Sequence, residues 1–175
     1  MIALTGTPVL ETERLVLRAP GPADWPQWLA YFGTERSRYS GGPLAADRAW
    51  RAFCHHLGHW VMRGYGSFAV TLKGGADAIG LVGPYHPIDW PEPEIGWALW
   101  NPMHQGKGLA FEAATASLDF VFRTLRWRTV VSYIDPTNLR SVALARRLGA
   151  MPDPVAPRPH PDDLVFRHRN PLGAA

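Results

Sequence analysis

The chain has one cysteine, Cys54, and two lysines, Lys73 and Lys107, in 175 residues. A lone cysteine excludes an intrachain disulfide and suits a reducing cytoplasm, which is the expected location. No apolar run is long enough to cross a bilayer, and the N-terminus lacks the basic-then-apolar layout of a secretory leader. Charge of one sign is scarce too. A formal net charge of +3 is too small to argue for nucleic acid, although it would help attract a polyanionic small molecule. Internal repeats and dividing linkers are also missing. The length therefore fits one domain over residues 1–175, with its core at about 12–170 and a short C-terminal tail.

What is there is regular hydrophobic patterning punctuated by glycine and proline. Leu15, Val16 and Leu17 read as a first strand, closed by Pro20-Gly21-Pro22. Asp24 is placed to cap a short helix carrying Trp25, Trp28, Leu29 and Phe32. A second helix is predicted over 45–62, then a hairpin with strands over 67–72 and 78–82. Residues 94–100 and 129–134 read as strands, the second β-branched as a strand buried on both faces should be. Between them, Ala110, Ala113, Ala114, Ser117, Leu118, Val121, Phe122 and Leu125 repeat at the spacing of one buried helical face. A further helix ends at Gly149, a proline-rich connection follows, and 164–168 reads as the last strand.

The richest stretch is Gln105-Gly106-Lys107-Gly108-Leu109-Ala110, where a strand, a glycine turn and a helix N-terminus meet. Two residues without Cβ let several N–H groups converge on one anion, and the helix dipole favours phosphate there. An ordinary strand-to-helix turn would use the same glycines for geometry alone. Two nucleotide loops are excluded by spacing. A Walker A loop needs glycine where Asn101 stands and Ser or Thr where Gly108 stands, and a dinucleotide fingerprint needs a small residue where Phe111 stands.

The spacing Gln105-x-x-Gly108-x-Ala110 resembles the acetyl-coenzyme A loop of the GNAT superfamily of N-acetyltransferases. Further matches follow in order: Thr12-Glu13-Arg14-Leu15-Val16-Leu17-Arg18 with Asp24, Glu94-Ile95-Gly96-Trp97-Ala98-Leu99, Glu112-Ala113 after the loop, Asn138-Leu139-Arg140-Ser141, and Leu148-Gly149-Ala150. Together they resemble the RimJ/RimL-type branch. The resemblance implies a GNAT α/β fold: one mixed, mostly antiparallel sheet of six to seven strands, helices on both faces, and a splay between the fourth and fifth strands. It also implies acetyl transfer from acetyl-CoA, as cosubstrate, directly to a primary amine, with no metal. A non-catalytic coenzyme A-binding sensor of the same fold is the alternative.

On this resemblance the cofactor would be held by Gln105, Gly106, Lys107, Gly108, Leu109 and Ala110. Its pantetheine arm would lie along Ala98, Leu99 and Trp100, with the backbone of Ala98 and Trp100 in contact, and would meet Asn138. Pro102 and Pro136 lack a ladder donor and would help keep the two strands apart, or simply end them. Glu94 is the candidate base, because a partly desolvated carboxyl gains affinity for protons. His86 is its rival, with an ordinary pKa near neutrality. Many family members place a tyrosine seven residues after the helix asparagine as the acid; here Ala145 stands there, and Ser141 would instead lie near the sulfur.

The acceptor would be shaped by Trp25, Trp28, Tyr31, Trp50, Trp60 and Trp90, with Asp89 and Glu92 nearby. That set suits an amine, and protein N-termini and small-molecule amines both fit. His55 and His59 share one helical face at i, i+4, a spacing that can hold a metal, but no carboxylate completes a set. A homodimer is compatible with this reading; nucleic-acid and membrane partners are not expected.

Overall fold

The computed structural model describes residues 4–171 and 173; most of the expected C-terminal tail lies outside them. Among the described residues, eight strands form one sheet in the order β1-β2-β3-β4-β5-β6-β8-β7. They are β1 Leu10–Glu11, β2 Leu15–Arg18, β3 Phe68–Leu72, β4 Ala78–Tyr85, β5 Glu94–Leu99, β6 Thr129–Ile134, β7 Met151–Pro152 and β8 Leu164–Arg169. The count exceeds the expected six to seven because β1 and β7 are two-residue strands, too short to leave a periodic signal. Every neighbouring pair is antiparallel except β5 and β6.

The described residues also form four α-helices that cover the sheet: α1 Trp25–Phe32, α2 Ala46–Arg63, α3 Leu109–Asp119 and α4 Leu139–Arg147. Alternation along the strands sorts the two faces. Leu15, Leu17, Phe68, Val70, Val82 and Ile95 pack with Leu109, Ala113, Ala114 and Leu118 of α3. Trp97 joins that cluster to the one containing Val142 and Ala145 of α4, so α3 and α4 share a face. The opposite face carries Ala69, Leu81 and Trp100 against Trp28, Tyr31, Phe32, Ala49 and Phe53 of α1 and α2. Burying side chains of this size contributes about 1.5–3 kcal/mol each, so both faces hold their helices firmly.

Asp24 does precede α1, but its carboxylate does not cap that helix. It accepts from both terminal nitrogens of Arg18, at 2.8 and 2.7 Å, and from the Gly21 amide at 2.8 Å. Buried to 1 % exposure, it ties the end of β2 to the start of α1.

The feature that positions the site is the failure of β5 and β6 to stay paired. They share a single register pair, Glu94↔Val131, and then part. At that point the Val131 amide still bonds Pro93 O at 3.1 Å. The next acceptor, Ile95 O, is taken by the Ser132 hydroxyl at 2.8 Å. The Tyr133 amide, next in line, no longer bonds Ile95 O and instead favours the charged form of the Glu94 carboxyl. The sheet therefore opens where a serine hydroxyl and a carboxylate replace ladder partners, with Pro102 and Pro136 beyond the two strand ends.

Candidate active site

The opening between β5 and β6 widens into a cleft of about 1820 Å³. Its lining joins the glycine loop (Gln105, Gly106, Gly108, Leu109, Ala110), the β5 strand from Glu94 to Trp100, and Asn138 and Ser141 of the α4 start. Residues from Glu94 to Ser141 in sequence thus meet at one place, as the family resemblance implies.

At the loop, Gly106 and Gly108 have φ of +73° and +78°, a region that side-chain-bearing residues rarely adopt. Gly108 caps α3, and the first amide of that helix bonded internally is Glu112 N, to Gly108 O at 3.0 Å. Among the described residues the amides of Gly106 to Phe111 have no other protein acceptor outside the helix, so a row of N–H groups is left for an anion. A cofactor diphosphate fits this cradle. Lys107 is exposed and outside the cleft lining; its contribution is a carbonyl that accepts from Arg14 Nη1 at 3.0 Å.

Arg14 and Glu112 form a brace that spacing alone does not reveal. Glu112 Oε1 accepts from the Thr12 hydroxyl at 2.6 Å and the Arg14 amide at 2.9 Å, while Oε2 accepts from Arg14 Nε at 2.7 Å. The same guanidinium reaches Lys107 O, so one side chain ties β2, the loop and the first turn of α3 together. It also neutralises a carboxylate that would otherwise repel an anion bound at this helix end. Arg14→Ala should therefore weaken coenzyme A binding by about 5- to 20-fold in isothermal titration. Adding Glu112→Gln should recover part of that loss. Equal affinity in wild type and Arg14→Ala would remove the brace from the binding argument.

Along β5 the structure shifts the expected backbone contacts by one residue. The Trp100 amide bonds Ile79 O of β4 at 2.9 Å, and Ala98 sits opposite Leu81 in the same ladder. Alternation then turns the backbone groups of Trp97 and Leu99 toward the gap, on the same side as Ile95 O. Arg36 Nη2 approaches Leu99 O at 3.5 Å from within the cleft, in agreement. Ala98 and Trp100 still line the cleft through their side chains, but their amides are spent on the sheet. Leu99, with Trp97, is the residue whose main chain faces the gap.

Asn138 is the N-cap of α4, its Oδ1 accepting from the Ser141 amide at 3.3 Å. That leaves its Nδ2 for a ligand. Ser141 Oγ accepts from the Trp97 indole at 3.1 Å, which fixes the oxygen at the gap while its own hydrogen stays free to donate. Ala145 is fully buried in the α4 packing, so nothing phenolic stands there.

Glu94 lies at the narrow end of the opening, half-buried, with Oε2 accepting from the Trp90 indole at 2.8 Å. Loss of hydration pushes its carboxyl up to about 7; Asp163 adds repulsion, and the Trp90 and Tyr133 hydrogen bonds offset part of the rise. His86 is not in the cleft lining: its Nε2 lies 3.2 Å from Trp90 O, and its amide donates to His59 Nε2 at 2.9 Å.

The acceptor side differs from expectation in half its members. Trp28, Tyr31 and Trp90 line the cleft, joined by Phe32, His56 and Tyr85. Trp25 and Trp50 meet edge-to-face outside it, and Trp60 is core, against Phe68. Glu92 is spent on a paired contact with Arg167, at 2.7 and 2.8 Å, and Asp89 is exposed outside the lining. Besides Glu94, the acids that reach the cleft are Asp135, just past β6, and Asp162 and Asp163, from the proline-rich connection before β8. His59 is no metal ligand as placed, since Nδ1 donates to Tyr65 O at 2.8 Å and Nε2 accepts from His86. No group of three or more metal-ligating side chains occurs among the described residues.

Comparison with known proteins agrees with this geometry. The pattern described as "Acetyltransferase (GNAT) domain" matches residues 14–151. An acetyltransferase structure from Agrobacterium tumefaciens str. C58 shares 40% identity over 97% of this chain and 98% of its own, with a TM-score of 0.89. The uncharacterized N-acetyltransferase YnaD of Bacillus subtilis (strain 168) is 32% identical over 82 residues, 47% of this chain and 48% of its own. The match thus spans about half the length of that curated relative. RimL, a ribosomal L7/L12 alpha-N-protein acetyltransferase solved with coenzyme A, shares the fold: its TM-score is 0.71 at 17% identity, over 93% of this chain and 98% of its own.

Proposed function

This chain belongs to the GNAT family of acetyltransferases, and on that premise we propose that it moves the acetyl group of acetyl-CoA directly to a primary amine. The observation that carries the reading is placement: the Glu94 carboxyl, which loss of hydration pushes up to about 7, lines the same gap as the row of unbonded glycine-loop amides. Acetyl-CoA supplies the activated thioester. The loop amides hold its diphosphate, and Asn138 Nδ2 with the main chain of Trp97 and Leu99 aligns the arm. Glu94 takes the proton from the incoming ammonium, directly or through one water, and leaves a neutral nucleophile. Gap-facing amides of β5 stabilise the charge that develops on the carbonyl oxygen. Ser141, oriented by Trp97, donates a hydrogen bond to the departing thiolate. The RimJ/RimL-type pattern of a helix asparagine followed by a serine supports that last role.

Thiol release from acetyl-CoA in the presence of a broad amine panel tests the activity. Release that depends on an amine, with a mass gain of one acetyl group on that amine, is the expected result. Coenzyme A binding without release for any amine would replace the proposal with a non-catalytic binding protein.

A further inference from the structure

Among the unpartnered polar groups of the cleft wall, His56 is the one whose second polar atom is left at the opening. His56 of α2 stacks on Tyr85, with ring centroids 4.8 Å apart and planes at 24°, and meets Trp28 edge-on at 5.2 Å. Its Nδ1 is sealed from solvent and finds no hydrogen-bond partner. Nε2 is the ring nitrogen that remains at the cleft, which His56 lines. A proton on Nδ1 would be a buried donor with no acceptor, so the proton belongs on Nε2, where it points into the opening.

Trp100 Nε1 and the Tyr133 hydroxyl of the cleft lining are also buried without a partner, whereas other polar groups of the wall near His56 are committed. The Trp28 indole donates to Ala49 O at 3.1 Å, and the Trp90 indole donates to Glu94. His59, behind Tyr85, is saturated at both nitrogens. His56 is connected to the base by contiguous side chains, because Tyr85 pairs with Glu94 across β4 and β5 and packs 5.9 Å from Trp90.

We propose that His56 is a specificity residue, whose Nε2–H donates to a hydrogen-bond-accepting oxygen carried close to the amine of the acceptor. The preferred substrates are then amines bearing a carbonyl or hydroxyl oxygen, rather than plain alkylamines. A polar group aimed at a ligand oxygen discriminates strongly, because the analogue lacking that oxygen leaves the N–H unpaired in a dry wall. Burial, with repulsion from His55 and His59, holds the imidazole near 3, so the ring stays a neutral donor at working pH. Tyr85, stacked on it, is pushed up to about 12 by burial and so stays a neutral phenol, with His55 and His59 as the other titratable neighbours.

The inference rests on the amine-acetylation reading, and its test separates the two. Histidine-selective 15N NMR on the full chain with coenzyme A should show His56 as the neutral Nε2–H tautomer from pH 5 to 8. Glycinamide should shift that signal, and ethylamine should not. In kinetics, His56→Phe keeps the stacked ring and removes the donor. It should raise KM for glycinamide at least 10-fold, leave kcat and the KM for acetyl-CoA within two-fold, and leave ethylamine unchanged. His56→Gln should restore part of the glycinamide preference. An Nδ1–H tautomer, or an equal loss for both amines, would overturn the proposal. If wild type turned over no amine, the activity would fall, while the NMR titration would still decide the role of His56.

Discussion

Glu94→Gln is expected to lower kcat/KM by about 10²- to 10⁴-fold, the range for losing a positioned general base. The pH profile should identify the cause. In wild type kcat/KM should rise through about 7, as the Glu94 carboxyl ionises. In the variant that limb should vanish, leaving only the rise from the acceptor amine's own deprotonation. Stability should move the other way. The native carboxyl binds its proton more tightly than an unfolded glutamate, so wild type loses stability as pH rises from about 4.5 through 7. Glutamine is neutral throughout and escapes that cost. The variant should therefore melt at the same temperature as wild type near pH 4 and higher than wild type at pH 8. The difference at pH 8 should be on the order of 1–3 kcal/mol, after allowing for partial exposure of the side chain. A variant that is slower yet more stable cannot be explained by misfolding. An unchanged rate would remove Glu94 as base and turn attention to water activated elsewhere in the cleft.

How far the sequence disclosed this site depends on what each residue needed from the rest of the chain. The loop, the following helix and the strand with Glu94 were legible because their signals are local: glycine positions, helical period, strand composition. The choice between Ala98 and Leu99 was not legible. Which backbone groups face the gap is set by the register of β5 on β4, where Gly80 sits opposite Leu99, and strand composition carries no trace of register. The β3–β4 ladder also shifts between Val70 and Thr71, which decides which face Ala78 and Leu81 share.

The acids of the cleft were misplaced for a related reason. Asp89 and Glu92 are close in sequence to Glu94, whereas Asp162 and Asp163 arrive through a proline-rich connection with no periodic signal. Glu92 had a second suitor, Arg167, that only the fold brings within reach. Arg14 and Glu112 stand 98 residues apart, and each reads as an ordinary surface charge until β2 and α3 are placed side by side. Tryptophan was the least informative residue type. The same side chain fills core at Trp60, packs edge-on at the surface at Trp50 and lines the cleft at Trp28, and composition cannot separate these cases.

Gly108→Val should raise the dissociation constant for coenzyme A by at least about 100-fold, a loss of roughly 2.7 kcal/mol. The added Cβ would meet protein only at Arg14 Nη2, 3.5 Å away, an ordinary contact that costs the apo fold little. The backbone is a separate matter, because φ of +78° at Gly108 strains any L side chain by roughly 1–2 kcal/mol. Loss of binding could then reflect a relaxed loop rather than a blocked cradle, and a second glycine distinguishes them. Gly149 has φ of +80° and lies outside the cleft lining, and a Cβ added there would meet nothing within 4 Å. Gly149→Val should lose similar stability in urea denaturation and keep its coenzyme A affinity. If both variants lose stability and only Gly108→Val loses binding, the excluded volume over the α3 amides is the cause. If Gly108→Val binds within three-fold of wild type, the diphosphate does not sit on this loop. The cleft would then hold its ligand from the Asn138 side alone.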